Sequence, residues 1–305
     1  MNAPGRQFPA FVSAGEALTD LVIEDQVSQR WIAKSGGAPW NVARAMSALG
    51  VPSAFAGAIS TDPFGDAVWE ASRAADLDLR FTQRVSRSPL LAVVHQTQPP
   101  RYFFIGDDSA DLYFDPTLLP VGWQHHVRWA HFGGISLARQ PLAGRLADLA
   151  VTLKRDGVRI SYDPNFRDLM DEAYDPMFRR MAELADLVKV SDEDLAGLFR
   201  TEHIENALAT MRGWNPSASV FLTRGPAGGS LYVGKDQFTA PSPHVVVVDS
   251  VGAGDASMAA LLYTLMQHAD RTPPEHLRFA LAGGAAACTT TGASPPDLTS
   301  ITSLL

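Results

Sequence analysis

Between residues 142 and 224 the chain repeats one pattern, and that pattern leaves few folds open. LAGRLADLAVTLKRDG (142–157) carries Leu142, Leu146, Leu149 and Leu153 at helical spacing and stops at Gly157. VRISYD (158–163) reads as a strand, MFRRMAELA (177–185) as a helix and DLVKVS (186–191) as a strand. DEDLAGLF (192–199) and ENALATMRGW (205–214) are helical, and ASVFLTR (218–224) is a strand again. Strands separated by helices pair in parallel, with the helices covering the sheet. The expectation is an α/β protein whose mostly parallel central sheet has helices on both faces.

The N-terminal third is less regular. FVSAGEALTDLVIED (11–25) supplies one or two strands, while PLLAVVHQ (89–96) and RYFFIG (101–106) read as a hairpin. Such pieces suit a small β lid, drawn from about 15–30 and 86–112, on one unit spanning 1–305; no Pro-, Gly- or Ser-rich linker marks a boundary. GSLYVGKD (229–236) nearly spells a lysine-bearing phosphate loop, but Asp236 replaces the required hydroxyl, so it reads as a hairpin turning at Gly234.

Charge and cysteine usage exclude several classes. A formal net charge of −8 argues against a nucleic-acid surface. The single cysteine, Cys288, rules out an internal disulfide framework, fits a reducing compartment and reads as a small apolar residue of a buried helix. MNAPGRQFPA lacks the layout of a signal peptide, and no apolar run reaches membrane-spanning length, so a cytoplasmic protein without a membrane partner is expected. His125–His126 lacks further ligand spacing and reads as a loop feature, and Asp107–Asp108 as a solvated turn.

One short stretch carries chemistry. DSVGAGDAS (249–257) follows the apolar run Val245–Val248, read as a strand, and precedes a helical pattern reaching Ala269. Helix N-termini present unpaired N–H groups and a positive dipole end, so Gly252, Ala253 and Gly254 could hold an anion without a lysine. Asp255 falls in the first helical turn, where the dipole alone would favour a carboxylate. The alternative is a general base facing a nucleophile beside the anion.

DSVGAGDASMAALL (249–262) resembles the C-terminal signature of the ribokinase-like (PfkB) family of carbohydrate kinases, with Ser257 where phenylalanine is usual. SGGAPWNVARAMSALG (35–50) resembles the N-terminal signature, and AFAGAISTDPFGDAV (54–68) the segment after it, with Ser60 in place of glycine. GEALTD (15–20), SADL (109–112), HFGGISL (131–137), DPNFR (163–167), KVSDED (189–194) and LTRGPAGG (222–229) follow in the order of the fructokinase-like branch.

The resemblance implies a ribokinase-like fold and an ATP- and Mg²⁺-dependent sugar kinase, with D-fructose to fructose 6-phosphate the expected reaction. Asp255 would be the base, with the amides of Gly252, Ala253 and Gly254 as anion hole. Asp20 and Asn41 would bind sugar hydroxyls, Gly36 and Gly37 would admit the ring, and Arg167 would face substrate or phosphate. Ser191, Thr223, Gly225 and Gly228 would lie on the ATP side, where Leu281 replaces a usual asparagine. Asp194 would reach Mg²⁺ through water, Asp249 would neighbour K⁺, and paired lids could form a homodimer. A 2-keto-3-deoxygluconate kinase, and a non-catalytic sugar-binding regulator on the same scaffold, are the competing readings; Gly106, where relatives often have arginine, bears on sugar choice.

Overall fold

The computed structural model describes residues 7–25, 27–97 and 100–305. Strand β1 (Phe11–Ala14) comes first, followed by β2 (Leu18–Asp25) and β3 (Arg30–Gly36). Helix α1 (Ala38–Ala48), β4 (Ser53–Ser60), α2 (Pro63–Ala74) and β5 (Thr82–Val85) lead to the hairpin β6 (Leu91–Thr97) and β7 (Pro100–Ile105). The alternating middle consists of β8 (Trp129–Gly133), α3 (Leu142–Arg155), β9 (Arg159–Asp163), α4 (Asp175–Leu184), β10 (Leu187–Ser191), α5 (Asp192–Phe199), α6 (Ile204–Trp214) and β11 (Ser219–Thr223). A second hairpin, β12 (Gly229–Val233) and β13 (Asp236–Ala240), precedes α7 (Ala253–Gln267), α8 (Pro273–Ala287) and α9 (Leu298–Thr302).

Nine strands form the main sheet, in the order β13-β12-β11-β10-β9-β8-β1-β4-β5. It is parallel from β5 to β11, and among the described residues only the β11–β12 and β12–β13 pairings are antiparallel, so β12 alone runs against the rest. Alternate side chains divide the core. Val12, Val188, Val190 and Leu222 pack with α3, α4 and α6, whereas Phe11, Leu187 and Phe221 pack with α1, α7 and α8. Helix α7 is buried nearly all round because α1 and α8 flank it against the sheet. Small residues permit that approach: a Cβ on Gly283 would lie 2.5 Å from the Ala260 methyl.

The other sheet has the order β3-β2-β6-β7 and leaves Phe103 and Ile105 half exposed. Strand β2 lies within the segment 15–30 and β6 and β7 within 86–112, while β3 runs past the first segment to Gly36. The hairpin around Gly234 forms as expected, and no helix among the described residues is long and apolar enough to cross a membrane. His126 packs on the Phe8 ring, a loop contact, and Asp108 pairs with Arg87 at 3.0 Å. Residues 1–6 of the segment read for a signal peptide lie outside the described residues.

Two expectations are corrected. Val245–Val248 is not a strand: these valines join no ladder of either sheet but run along the C-terminal end of α8, and Val246 is 85% exposed. The Val248 N–H instead donates to the Cys288 carbonyl at 2.8 Å. Cys288 therefore closes α8 as its C-cap, only partly buried, and is not a residue inside the helix.

Candidate active site

The carboxyl ends of parallel strands are where an open α/β sheet leaves room for ligands. Here the ends of β9 and β10 meet the N-terminus of α7, and Asp255 lies in its first turn. Gly252 is the N-cap, with φ 80°, and a Cβ there would lie 2.8 Å from the Ala293 methyl. Left-handed backbone and close approach together require glycine. The N–H groups of Gly252, Gly254 and Asp255 have no acceptor among the described residues, as a helix start leaves them. The Ala253 N–H differs, since it donates to the Ser250 carbonyl at 3.2 Å. The unpaired N–H groups are thus those of Gly252, Gly254 and Asp255, with Ala253 occupied by a turn.

Asp255 is 8% exposed and accepts a hydrogen bond from Asn41 Nδ2 at 2.9 Å, across 214 residues of sequence. Burial lifts its pKa from 3.8 to about 7, Asn41 opposes the rise, Asp163 adds to it, and Lys189 and Arg167 oppose it. A carboxylate with that proton affinity suits general-base work near neutrality. Asn41 Oδ1 is buried with no partner among the described residues, so an open acceptor lies beside Asp255.

Two charged groups that sequence reading passed over lie under this turn. Lys189, on β10, is 4% exposed and donates to Asp163 Oδ2 at 2.7 Å. A Cβ on Gly254 would lie 3.4 Å from its Nζ, which places the ammonium against the turn that opens α7. Burial works against the Lys189 charge, but Asp163, Asp194 and Asp255 together raise its pKa. The signal was a lysine inside the apolar strand LVKV, since buried lysines are almost always paired.

On the side of the second sheet, Asp20 is mostly buried; burial raises its pKa from 3.8 to about 6, against the pull of Arg167 and Lys34. The two glycines serve the chain itself. A Cβ on Gly36 would lie 2.2 Å from Asp20 Oδ2, and one on Gly37, at φ +112°, would lie 2.7 Å from the Glu16 carbonyl oxygen. Arg167 is braced by Asn165 Oδ1 at 2.7 Å and the Phe166 carbonyl at 2.6 Å, with its guanidinium 5.9 Å from the Tyr102 ring centre. It acts on both Asp20 and Asp255 and so links the two halves of the site.

The remaining candidates hold loops. Ser191 and Asp194 form a capping box on α5; Asp194 also accepts the Phe166 N–H at 2.8 Å. Asp249 accepts from the amides of Val251 (3.0 Å) and Gly292 (2.8 Å), fastening the loop that covers Gly252. Thr223 ends β11, and Gly225 (φ +50°) and Gly228 (φ +93°) shape a tight turn. No group of three His, Cys, Asp or Glu residues able to hold a metal occurs among the described residues. Each Asp194 oxygen accepts one backbone N–H and keeps a lone pair, so a water-mediated metal contact fits while a protein-built metal cage does not.

Comparison with known proteins agrees with this geometry: residues 11–300 match the description "pfkB family carbohydrate kinase". The chain belongs to the pfkB family of carbohydrate kinases. It is therefore a phosphotransferase acting on a sugar hydroxyl, with a ribokinase-like fold. A probable fructokinase-2 of Arabidopsis thaliana is 32% identical over 93% of this chain and 91% of its own length. Among solved structures, a fructokinase from Xylella fastidiosa with bound ATP superposes with a TM-score of 0.88 at 27% identity, covering 96% of this chain and 97% of that one. A Vibrio cholerae fructokinase bound to fructose, ADP and calcium gives 0.84 at 28% identity over 97% and 98%.

The departures of this pfkB kinase from the usual signatures are accommodated by packing. Ser257 donates to the Gly254 carbonyl at 2.8 Å in a space narrowed by Gly284. Ser60 donates to Asp62 Oδ1 at 2.8 Å, tightening the start of α2. Leu281 is 5% exposed and packs beneath Gly229, within the core that carries Phe221. At Gly106 the Arg139 guanidinium donates to the carbonyl and pairs with Asp111, which stations an arginine beside that position from elsewhere in the chain.

Proposed function

We propose that this kinase is an ATP-dependent fructokinase that converts D-fructose to fructose 6-phosphate. The observation carrying the reading is the buried Asp255, bonded to Asn41 and set beside open helix amides. In the reaction Asp255 takes the proton of the primary hydroxyl as its oxygen attacks the γ-phosphorus in line. The bond from phosphorus to the ADP oxygen breaks, ADP leaves, and Asp255 later returns its proton to solvent. The amides of Gly252, Gly254 and Asp255 face the charge that develops on the phosphoryl oxygens. Asp20 and the Asn41 carbonyl oxygen accept from sugar hydroxyls, and Arg167 braces the substrate or its phosphate. Mg²⁺ entering with ATP would neutralise phosphate charge, with Asp194 reaching it through water; K⁺ would lie near Asp249. Thr223, Gly225 and Gly228 would border the nucleotide, with Ser191 anchoring the adjoining helix. The second sheet would act as a lid on one kinase unit and as the face of a homodimer.

Arg167 and Lys34 also supply positive charge near Asp20, which supports the 2-keto-3-deoxygluconate alternative. Nothing comparable favours the non-catalytic regulator.

The deciding measurement is ADP release with MgATP across fructose, ribose, 2-keto-3-deoxygluconate and adenosine, with and without K⁺. Preference for fructose is expected; preference for the acid sugar overturns the substrate, and silence on every sugar overturns the reading. Because Asp255 must be ionised to act and its pKa is about 7, kcat is expected to rise as pH rises through 7. A flat profile from pH 5 to 9 would contradict that role. Asp20→Ala is expected to raise fructose KM at least tenfold, about 1.4 kcal/mol of lost binding. A change confined to the KM of ATP would remove Asp20 from the sugar site.

A further inference from the structure

Beneath the anion-binding turn lies an ion pair that the reaction as described does not use. Lys189 and Asp163 are 4% and 3% exposed, the last residues but for Val190 and Ser191 of one parallel strand and the end of its neighbour. Asp163 spends both oxygens on fixed partners: Oδ1 accepts the Asn165 N–H at 3.1 Å and Oδ2 the Lys189 ammonium at 2.7 Å. The ammonium in turn lies 3.4 Å from where a Gly254 side chain would begin. Gly254 therefore leaves its peptide open to a buried positive charge from below and to solvent-borne anions from above. A buried ion pair is weak as a stabilising device, because desolvation offsets most of its attraction. Its placement calls for another explanation.

We propose that the Asp163–Lys189 pair is a positioning element for phosphoryl transfer, in which Asp163 at the end of β9 holds the Lys189 ammonium as one fixed positive charge under the Gly254 amide. This rests on the kinase reading given above. The groups facing Asp255 are Asn41 from α1, Asp163 at the end of β9, Arg167 after it, and Lys189 from β10; Asp194, at the start of α5, acts on Lys189. Asp163 raises the proton affinity of Asp255, and Lys189 lowers it. Removing the two partners must then move the base in opposite directions, which a purely structural pair would not do.

The test is the acid limb of the kcat profile in three single variants. Lys189→Met should shift it to higher pH and Asp163→Asn to lower pH, each on the order of one unit; Lys189→Arg keeps the charge and should leave the limb in place. Should Lys189→Met fail to fold with Asp163 unpaired, the double variant Lys189→Met with Asp163→Asn leaves no buried charge alone. Its limb should fall below that of the wild type but above that of Asp163→Asn. Shifts in one direction for both partners, or an unmoved limb with lowered melting temperature, overturn the proposal. A second readout needs no turnover: inorganic phosphate should raise the melting temperature of the wild type and of Asp163→Asn, and clearly less that of the double variant, which keeps the helix amides and Arg167 but not the Lys189 charge. Equal stabilisation of all three overturns the fixed-cation role. An inactive wild type that phosphate still stabilises through Lys189 would instead sink the kinase reading and spare the charge beneath the turn.

Discussion

Asp255→Asn is expected to lower kcat by about 10²–10⁴-fold, the usual contribution of a positioned base, with sugar and nucleotide affinities close to those of the wild type. Asparagine keeps the shape and can still accept the Asn41 N–H, but cannot take a proton. Stability should move the other way. Burial raises the Asp255 pKa from 3.8 to about 7, so the folded chain holds this proton more tightly than the unfolded one. Its contribution to stability is complete below the unfolded value and is lost as pH rises through about 7. At pH 8 the variant should therefore melt at or above the wild-type temperature, in the manner of a strained functional group relieved. Near-normal kcat would remove Asp255 as the base. A variant that melts well below the wild type at pH 8 would refute the account of its buried charge.

Gly252→Val is the second large effect expected. The position has φ 80°, and its Cβ would press on Ala293 at 2.8 Å. A β-branched residue cannot adopt that backbone without strain, so the turn and the Asp249–Gly292 loop must move apart. The open amides would then leave their alignment, at a cost of about 10²–10³-fold in kcat, as for loss of an anion-hole donor. The buried core of α7 does not include this residue, so far-ultraviolet dichroism should be unchanged. Wild-type kcat in this variant would show that the amides contribute little.

What could be read from the sequence follows from how local each feature is. The helix over 192–199 and the strand–helix alternation around it were legible because each element announces its own period and stops. Asp255 stood out from its place in a glycine turn that starts a helix, whereas Asn41 was singled out only through resemblance to a family, since no local pattern reveals a contact spanning 214 residues. The close approach of Asp20 to Gly36 and of the Glu16 backbone to Gly37 could not be read locally, because each neighbour is set by strand pairing or loop packing. Val245–Val248 misled because an apolar run looks like a strand whether or not a neighbouring edge exists to pair with it. Lys189 was visible but passed over: one charge within LVKV does not say which acid it will meet, and Asp163 lies 26 positions earlier.

The strand order has a consequence for how the molecule is made. Once β1, β4, β5 and β8 are in place, β9 through β13 each join the growing edge in the order the ribosome delivers them. Synthesis can therefore extend the sheet without threading a late strand between early ones, and most of it can assemble on the nascent chain. Part of the face bearing Phe11, Leu187 and Phe221 must wait, because α1 is made early but α7 and α8 are translated after the last strand. During that interval the unfinished protein carries an uncovered apolar surface that a chaperone could hold. The same late helix brings Asp255, so on the reading proposed above docking α7 would cover the core and complete the site in one event.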